Sequence, residues 1–243
     1  MSGLPSVAVN LYQSSADPEH KLGELHVDEF GRKFRYAQAG AAALVTGHLL
    51  QEAAEDTNYR SMAVDTAAAI GTFEVSVTLG GTAVTANQFD NGDLVVESST
   101  GIGQQFKIER HDVQTSTTGS CSFFVERPIA IALTTSSQVS VRKSSYDGVI
   151  DFPVTPTGAP VGVATFAVPA TEYAWIQSGG DVAVLYDDQA NSAADESGLI
   201  PSRDLAGAVA VNLETIAAGV HIGWGREQVS TDSTMGFAKL IID

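Results

Sequence analysis

Short runs in which apolar and polar residues alternate, cut apart by Gly, Asn and Asp turns, constrain the fold of this chain more than any other feature. Residues 73–79 (FEVSVTL) alternate with the period of two that a half-buried strand requires, and Gly80-Gly81 supplies a turn. Residues 83–86 resume the pattern, and Asp90-Asn91-Gly92-Asp93 marks a second turn. Runs at 94–97 (LVVE), 105–109 (QFKIE), 122–126 (SFFVE), 129–133 and 138–142 (QVSVR) follow at the spacing of a meander or barrel. Val, Thr, Ala, Ser and Gly dominate and Lys is scarce, which disfavours long exposed helices. The expected fold class is all-β: two small β-barrel or β-sandwich domains with an extended N-terminal arm.

The alternation places one β-barrel or sandwich domain at 58–150. Its expected core is Phe73, Val75, Val77, Leu79, Leu94, Val96, Phe106, Ile108, Phe124, Ile131, Leu133, Val139 and Val141. Pro153, Pro156, Pro160 and Pro169, with two glycines between Asp151 and Pro169, suit a linker and entering strand over 151–168 better than a central strand. A C-terminal β-barrel is expected over 169–243. Its strand runs are 172–178 (EYAWIQS), 182–186 (VAVLY), 206–213, 221–224 and 237–242 (FAKLII), separated by Gly179-Gly180, 192–198 and 230–234. Residues 1–57 differ from both domains. Residues 4–13 are extended, 33–36 (KFRY) read as a short strand, and 41–54 suit a helix except for Gly47 and its β-branched neighbours. An arm packed on a neighbouring subunit and an edge hairpin folded on its own domain fit this segment equally well.

The 243 residues are enough to bury a core without covalent staples, and Cys121, the single cysteine, leaves no internal disulfide and no Cys-rich zinc site. Thirteen Lys and Arg against 29 Asp and Glu give a formal charge of −16, spread along the chain. Phosphate binding needs a cationic surface, so nucleic acid is not an expected partner. Residues 1–14 lack the basic start and apolar centre of a signal peptide, and no run approaches the ~18 apolar residues of a membrane span. Synthesis in a bacterial cytoplasm, with no membrane partner, is the expectation.

Three stretches together resemble a widespread family of tailed-phage virion structural proteins. GRKFRYAQAGAAALVTGHLLQ (31–51) is similar to that family's opening pattern: Arg, an aromatic pair around Arg, Ala-x-x-Gly, then Gly-x-Leu-x-Gln. FDNGDLVVESSTGIGQQFKIERH and FFVERPIAIALTTSSQVSV, within 82–141, resemble a recurring strand-rich block. EYAWIQSGGDVAVLYDD, GLIPSRDLAGAV and a closing Gly-x-Ala-x-Leu-x-Ile resemble the family's C-terminal barrel, with departures at Gly179-Gly180 and in the acidic, Ala-rich 187–196 loop. The resemblance implies a capsid decoration (cement) protein on the virion exterior, with the major capsid protein as partner. Closure about a local three-fold axis would make the chain a homotrimer. Tail or head-fibre components, and a surface carbohydrate-binding module, are the competing readings.

No catalytic, cofactor-binding or metal residue is assigned, and no enzyme activity is expected. Gly101-Ile102-Gly103-Gln104-Gln105-Phe106 breaks the dinucleotide fingerprint at its third glycine and opens a strand, not a helix. Asp90, Asn91 and Asp93 lack the ligand spacing and distal Glu of a calcium loop. Asp187-Asp188 and Asp195-Glu196 read as solvated loop charge, because adjacent carboxylates on a strand point to opposite faces. His20, His26, His48, His111 and His221 have no second ligand at a diagnostic spacing, and Cys121 beside Phe123 and Phe124 reads as a small buried hydrophobe. The residues singled out as partner-interface anchors are Phe34, Arg35 and Tyr36 in the arm, with Trp175 and Trp224. Alternating strands around the two tryptophans favour core positions for them.

Overall fold

The computed structural model describes residues 9–187, 198–211, 220–226 and 233–243. The expectations that fall on 4–8, 188–197, 212–213 and 230–232 lie outside the described residues. The strands are β1 Leu25–Val27, β2 Lys33–Ala39, β3 Leu49–Gln51, β4 Met62–Thr66, β5 Glu74–Thr78, β6 Asp93–Ser98, β7 Gln105–His111 and β8 Ser120–Val125. They continue as β9 Gln138–Arg142, β10 Asp147–Asp151, β11 Pro160–Val163, β12 Tyr173–Tyr186, β13 Gly198–Pro201, β14 Val209–Val211, β15 Gly223–Gly225 and β16 Thr234–Ile241. The protein is all-β. Among the described residues the single helical element is a 3-10 turn, Thr57–Tyr59, and the stretch that suited a helix carries β3 instead.

Two compact units emerge, Met1–Ala53 with Tyr146–Asp243, and Ala54–Ser145 inserted between them. In the inserted unit β4 to β9 close a barrel in the order β4-β5-β8-β7-β6-β9, with β9 pairing back onto β4. Alternation builds it: Val75 and Val77 point inward from β5, Leu94 and Val96 from β6, Phe106 and Ile108 from β7, and Val139 and Val141 from β9. Three expected core residues are not there. Phe73 and Ile131 are about half exposed, because Phe73 precedes its strand at the barrel rim and 129–133 runs as a bent loop joined by one bridge, Ala68 to Leu133. In β8 the inward set is Cys121, Phe123 and Val125, so Phe124 faces out, where the Arg110 guanidinium stacks 3.5 Å from its ring centroid.

Asn91 adopts a left-handed φ of 60° in the turn before β6. Gly92 is required by packing rather than by φ, since a Cβ there would collide with the Arg142 carbonyl oxygen on β9.

The discontinuous unit corrects the expected domain plan. In the expected 1–57 arm the described residues 9–53 belong to the same unit as 169–243: β2 forms a hairpin with β1, pairs with β12 along Tyr36↔Trp175 and Phe34↔Gln177, and Ser15 bridges Tyr173, which matches the hairpin alternative rather than a separate arm. The strand expected to enter from the 151–168 linker is β11, and it pairs with both β3 and β12. Pro160 is accommodated as the first residue of that strand. Gly179-Gly180 is not a turn between two strands. The 14-residue β12 runs on through it, with Gly180 at φ +86° and a bulge against β2 just before it, between Gln177 and Gly179. The bulge lets one strand pair with β2 through its first half and with β16 through its second. Buried Gln177 staples it, its Nε2 donating to Gly179 O (3.1 Å) and Asp181 O (2.8 Å).

Arg35 points away from the buried face of β2. Its guanidinium forks onto the Asp243 carboxylate and donates from Nη1 to Gly23 O at 2.8 Å. These hydrogen bonds hold the Asp243 carboxyl below the usual carboxylate range, although burial opposes them. A carboxylate depressed in the folded state stabilises the fold above its unfolded pKa, and that stabilisation disappears as pH falls through the folded value. The urea midpoint is therefore expected to fall as pH drops below about 4, the ordinary Asp range. Asp243→Asn should remove part of that slope, and a slope unchanged in the variant would contradict the assignment.

Candidate interaction surfaces

Phe34, Tyr36 and Trp175 are 0%, 2% and 4% exposed and form one aromatic cluster, covered by Val9, Leu11, Leu22 and Tyr173. Alternation on β2 and β12 turns all three inward, and Tyr36 and Trp175 meet edge-to-face at 5.2 Å. Trp175 takes the core position favoured for it, Phe34 and Tyr36 are core residues of their own unit rather than open anchors, and Arg35 is part-exposed in its ion pair with Asp243. Trp224 differs. It is 48% exposed on β15, opposite Lys239 of β16, on a face that also presents Phe237 and Ile241.

The inserted barrel has a second surface that the sequence reading did not assemble. Strand polarity puts the β4–β5, β6–β7 and β8–β9 connections at one end, while the chain enters and leaves the barrel at the other. Within those connections the stretches 67–72, 99–104 and 128–137 contain no Asp, Glu, Lys, Arg or His in a chain of formal charge −16, while the β8–β9 connection opens on Glu126 and Arg127. Ile70, Ile102 and Ile131 stand out from them at 68%, 64% and 51% exposure.

Hydrogen bonds tie the loops into a plate. Gln104 Nε2 donates to Gly101 O (3.2 Å) and Ile131 O (2.9 Å), while its Oε1 accepts from the N–H groups of Ala130 (3.0 Å) and Ile131 (3.1 Å). Ala68 and Leu133 exchange two backbone bonds, Gly71 N–H donates to Ile129 O, and Ile129 N–H donates to Thr72 O. Charged residues begin just below, at Asp65, Glu74, Glu97, Glu126 and Arg127, giving an apolar centre with a charged rim. The signal available in the sequence was the absence of charge in three separate loops. Only the barrel topology brings them together.

The third feature is a cleft of about 560 Å3 in the discontinuous unit. The turn between β1 and β2 supplies Phe30 and Arg32, β16 supplies Met235 and Phe237, and β12 supplies Gln177, Asp181 and Val182. Tyr12, Thr46 and Thr165 complete it. Asp28 braces the turn, its Oδ1 accepting from the N–H groups of Phe30 (3.0 Å) and Arg32 (2.8 Å) and its Oδ2 from Arg32 Nε (2.7 Å). Burial pushes the Asp28 carboxyl up, but these bonds outweigh it and hold the group below the usual range. Arg32 lies 5.8 Å from the Phe30 ring centroid and 5.6 Å from that of Phe34. Thr165 Oγ1 is buried and has no hydrogen-bond partner.

The other chemistry-bearing residues have structural partners. Asp93 pairs with Lys107 at 2.8 Å while Asp90 faces His111 at 3.6 Å, so the two carboxylates diverge. His111 is fully buried, its Nε2 accepting from Phe89 N–H and its Nδ1 donating to Asp112 O. His20 and His26 pack edge-on to Trp175, and His48 Nδ1 lies 2.7 Å from Asp151. Asp187 is buried and accepts from the Ser202 hydroxyl, while Asp188, Asp195 and Glu196 lie outside the described residues. Burial pushes the Cys121 thiol up to about 11, which suppresses its thiolate. Among the described residues no three His, Cys, Asp or Glu side chains gather as metal ligands would. Comparison with family models, curated proteins and solved structures finds no match for this chain.

Proposed function

We propose that this chain is a non-enzymatic structural protein of a tailed-phage particle, bound to the outer surface of the capsid, where it cements neighbouring capsomers through contacts with the major capsid protein. The uncharged, cross-braced end of the inserted barrel is the observation that carries this reading. A docking protein needs apolar anchors already held in their bound geometry, because ordering loose loops consumes binding energy. Ile70, Ile102 and Ile131 meet that requirement on a scaffold with no free strand edge around the barrel. The formal charge of −16 suits the remainder of a surface turned away from packaged DNA. The three stretches that resemble virion proteins add sequence support. Many copies on one shell would multiply a modest contact energy.

A pelleting assay with expanded capsids lacking the protein tests this. Ile102→Asp plus Ile131→Asp is expected to reduce the bound fraction at least tenfold, since charges would be buried without partners. Trp224→Ala, on the other unit, is expected to bind as the wild type does. Equal binding by the double variant would overturn the assignment of the docking end.

A further inference from the structure

We infer that the outer edge of β1 docks an extended segment of another protein, one that sets apolar side chains at alternate positions between flanking cations. Among the described residues β1 is the one strand with a neighbour on a single side; every other strand has two or more. Its register shows which backbone groups are left over. Tyr36 N–H donates to Glu24 O and Asp28 N–H to Arg32 O, both at 3.1 Å, with His26 opposite Phe34 between them. Alternate residues of an antiparallel strand bond across the pair, so the N–H and C=O groups of Leu25 and Val27 face away from β2, and no described residue bonds to them. The side chains at the same two positions are apolar and 46% and 51% exposed. Neither Pro, Lys nor a bulge within β1 blunts the edge, as natural edge strands commonly arrange.

The edge is held in extended form before a partner arrives. The His26 ring packs edge-on to Trp175 at 5.7 Å, and Arg35 Nη1 donates to Gly23 O just before the strand. An added strand would gain main-chain bonds without first ordering the edge that supplies them. Charge selects the occupant. Residues 24–29 carry Glu24, Asp28 and Glu29 and no Lys or Arg. Arg32 is taken by Asp28 and Arg35 by Asp243, while Lys33 Nζ donates to Asp243 O. Glu24, whose ion partner is the His20 ring at 3.3 Å, and Glu29 therefore bracket the edge with carboxylates that a cation at each end of the incoming segment would meet. A second copy of β1 fits poorly: with His26 opposite its own counterpart, Glu24 faces Asp28 at both ends, and like charges directly opposite destabilise a strand pair.

This inference does not rest on the capsid reading, and its test uses the free, full chain. The probe is a capped peptide in which Val and Thr alternate between lysines at both ends, titrated while the amide signals of the protein are followed by NMR. The Leu25 and Val27 amides are expected to shift saturably and to exchange more slowly with solvent. The same peptide ending in glutamates should bind severalfold more weakly. Leu25→Pro removes an outward N–H and no bond to β2, so it should weaken binding roughly tenfold at an unchanged Tm. Val27→Lys, which puts a cation on the edge, is the second variant and should weaken it as well, whether or not the proline is tolerated. No saturable shift at Leu25 and Val27, equal binding of the glutamate-ended peptide, binding unaffected by Val27→Lys, or self-association through β1 in place of peptide binding would each overturn the proposal.

Discussion

Trp175→Ala is expected to destabilise the discontinuous unit by about 3–5 kcal/mol, the range for removing a large aromatic from a packed core. The indole is almost wholly enclosed. It meets Tyr36 across the strand pair and takes His20 and His26 on its edges, and Val9, Leu11 and Leu22 close over the same cluster. Neighbours drawn from the N-terminal residues and from β2 cannot all collapse into the vacated space, so a cavity remains. A loss of this size lowers Tm by roughly 10 °C in a unit of this length. Thermal unfolding by near-ultraviolet circular dichroism reads it. A Tm within experimental error of the wild type would mean that Trp175 packs against a partner protein and not against its own chain. Phe34 and Tyr36 belong to the same cluster, so alanine there is expected to damage the fold before it reports on any interface.

The second large effect separates two adjacent phenylalanines. Phe123→Ala is expected to destabilise the barrel by about 3–5 kcal/mol, because Phe123 is fully buried and packs with Phe89 and His111 at ring separations of 5.8 and 5.7 Å. Phe124→Ala removes an outward ring whose main partner is Arg110, a contact of about 0.5–1 kcal/mol at an exposed site. Urea unfolding of the two variants should therefore differ severalfold in ΔΔG. Equal losses, or a larger loss for Phe124, would place β8 in the opposite register, since a one-residue slip exchanges the two faces of a strand.

That pair also shows where sequence pattern stops being informative. In β5, β7 and β9 the inward residues are separated by polar ones, and alternation identifies the buried face directly. In SCSFFV the doublet Phe123-Phe124 satisfies either face, and the outcome is decided by Cys121 and Val125 at the strand ends. The Gly179-Gly180 pair has the composition of a turn, yet β12 continues through it, because Gly180 can take a positive φ within the strand and β2 and β16 are both available for pairing. The pairing of β2 with β12 joins residues well over a hundred positions apart. Nothing local in KFRY announces it, and reading the segment as an arm misassigned Phe34 and Tyr36 to an interface.

The two candidate surfaces were partly legible for similar reasons. The stretches 67–72, 99–104 and 128–137 are each visibly free of charge, but the sum is visible only once three connections are known to share one end. Phe30 and Phe237 lie at opposite ends of the sequence and share a cleft through the β1–β2 turn and β16. Trp224 alone among the residues singled out as anchors remains open to solvent. It sits next to a sheet position, Lys239, whose alternation was clear from FAKLII.

The central claim is that the protein docks on a capsid through the uncharged end of its inserted barrel. The most direct measurement is cryo-electron microscopy of expanded capsids, first lacking the protein and then mixed with it or with the Ile102→Asp, Ile131→Asp variant. The account predicts added density at capsomer junctions, with the loops carrying Ile70, Ile102 and Ile131 against the shell, and its loss in the variant. Density confined to tails or fibres, or a barrel end turned to solvent on a decorated shell, would contradict it.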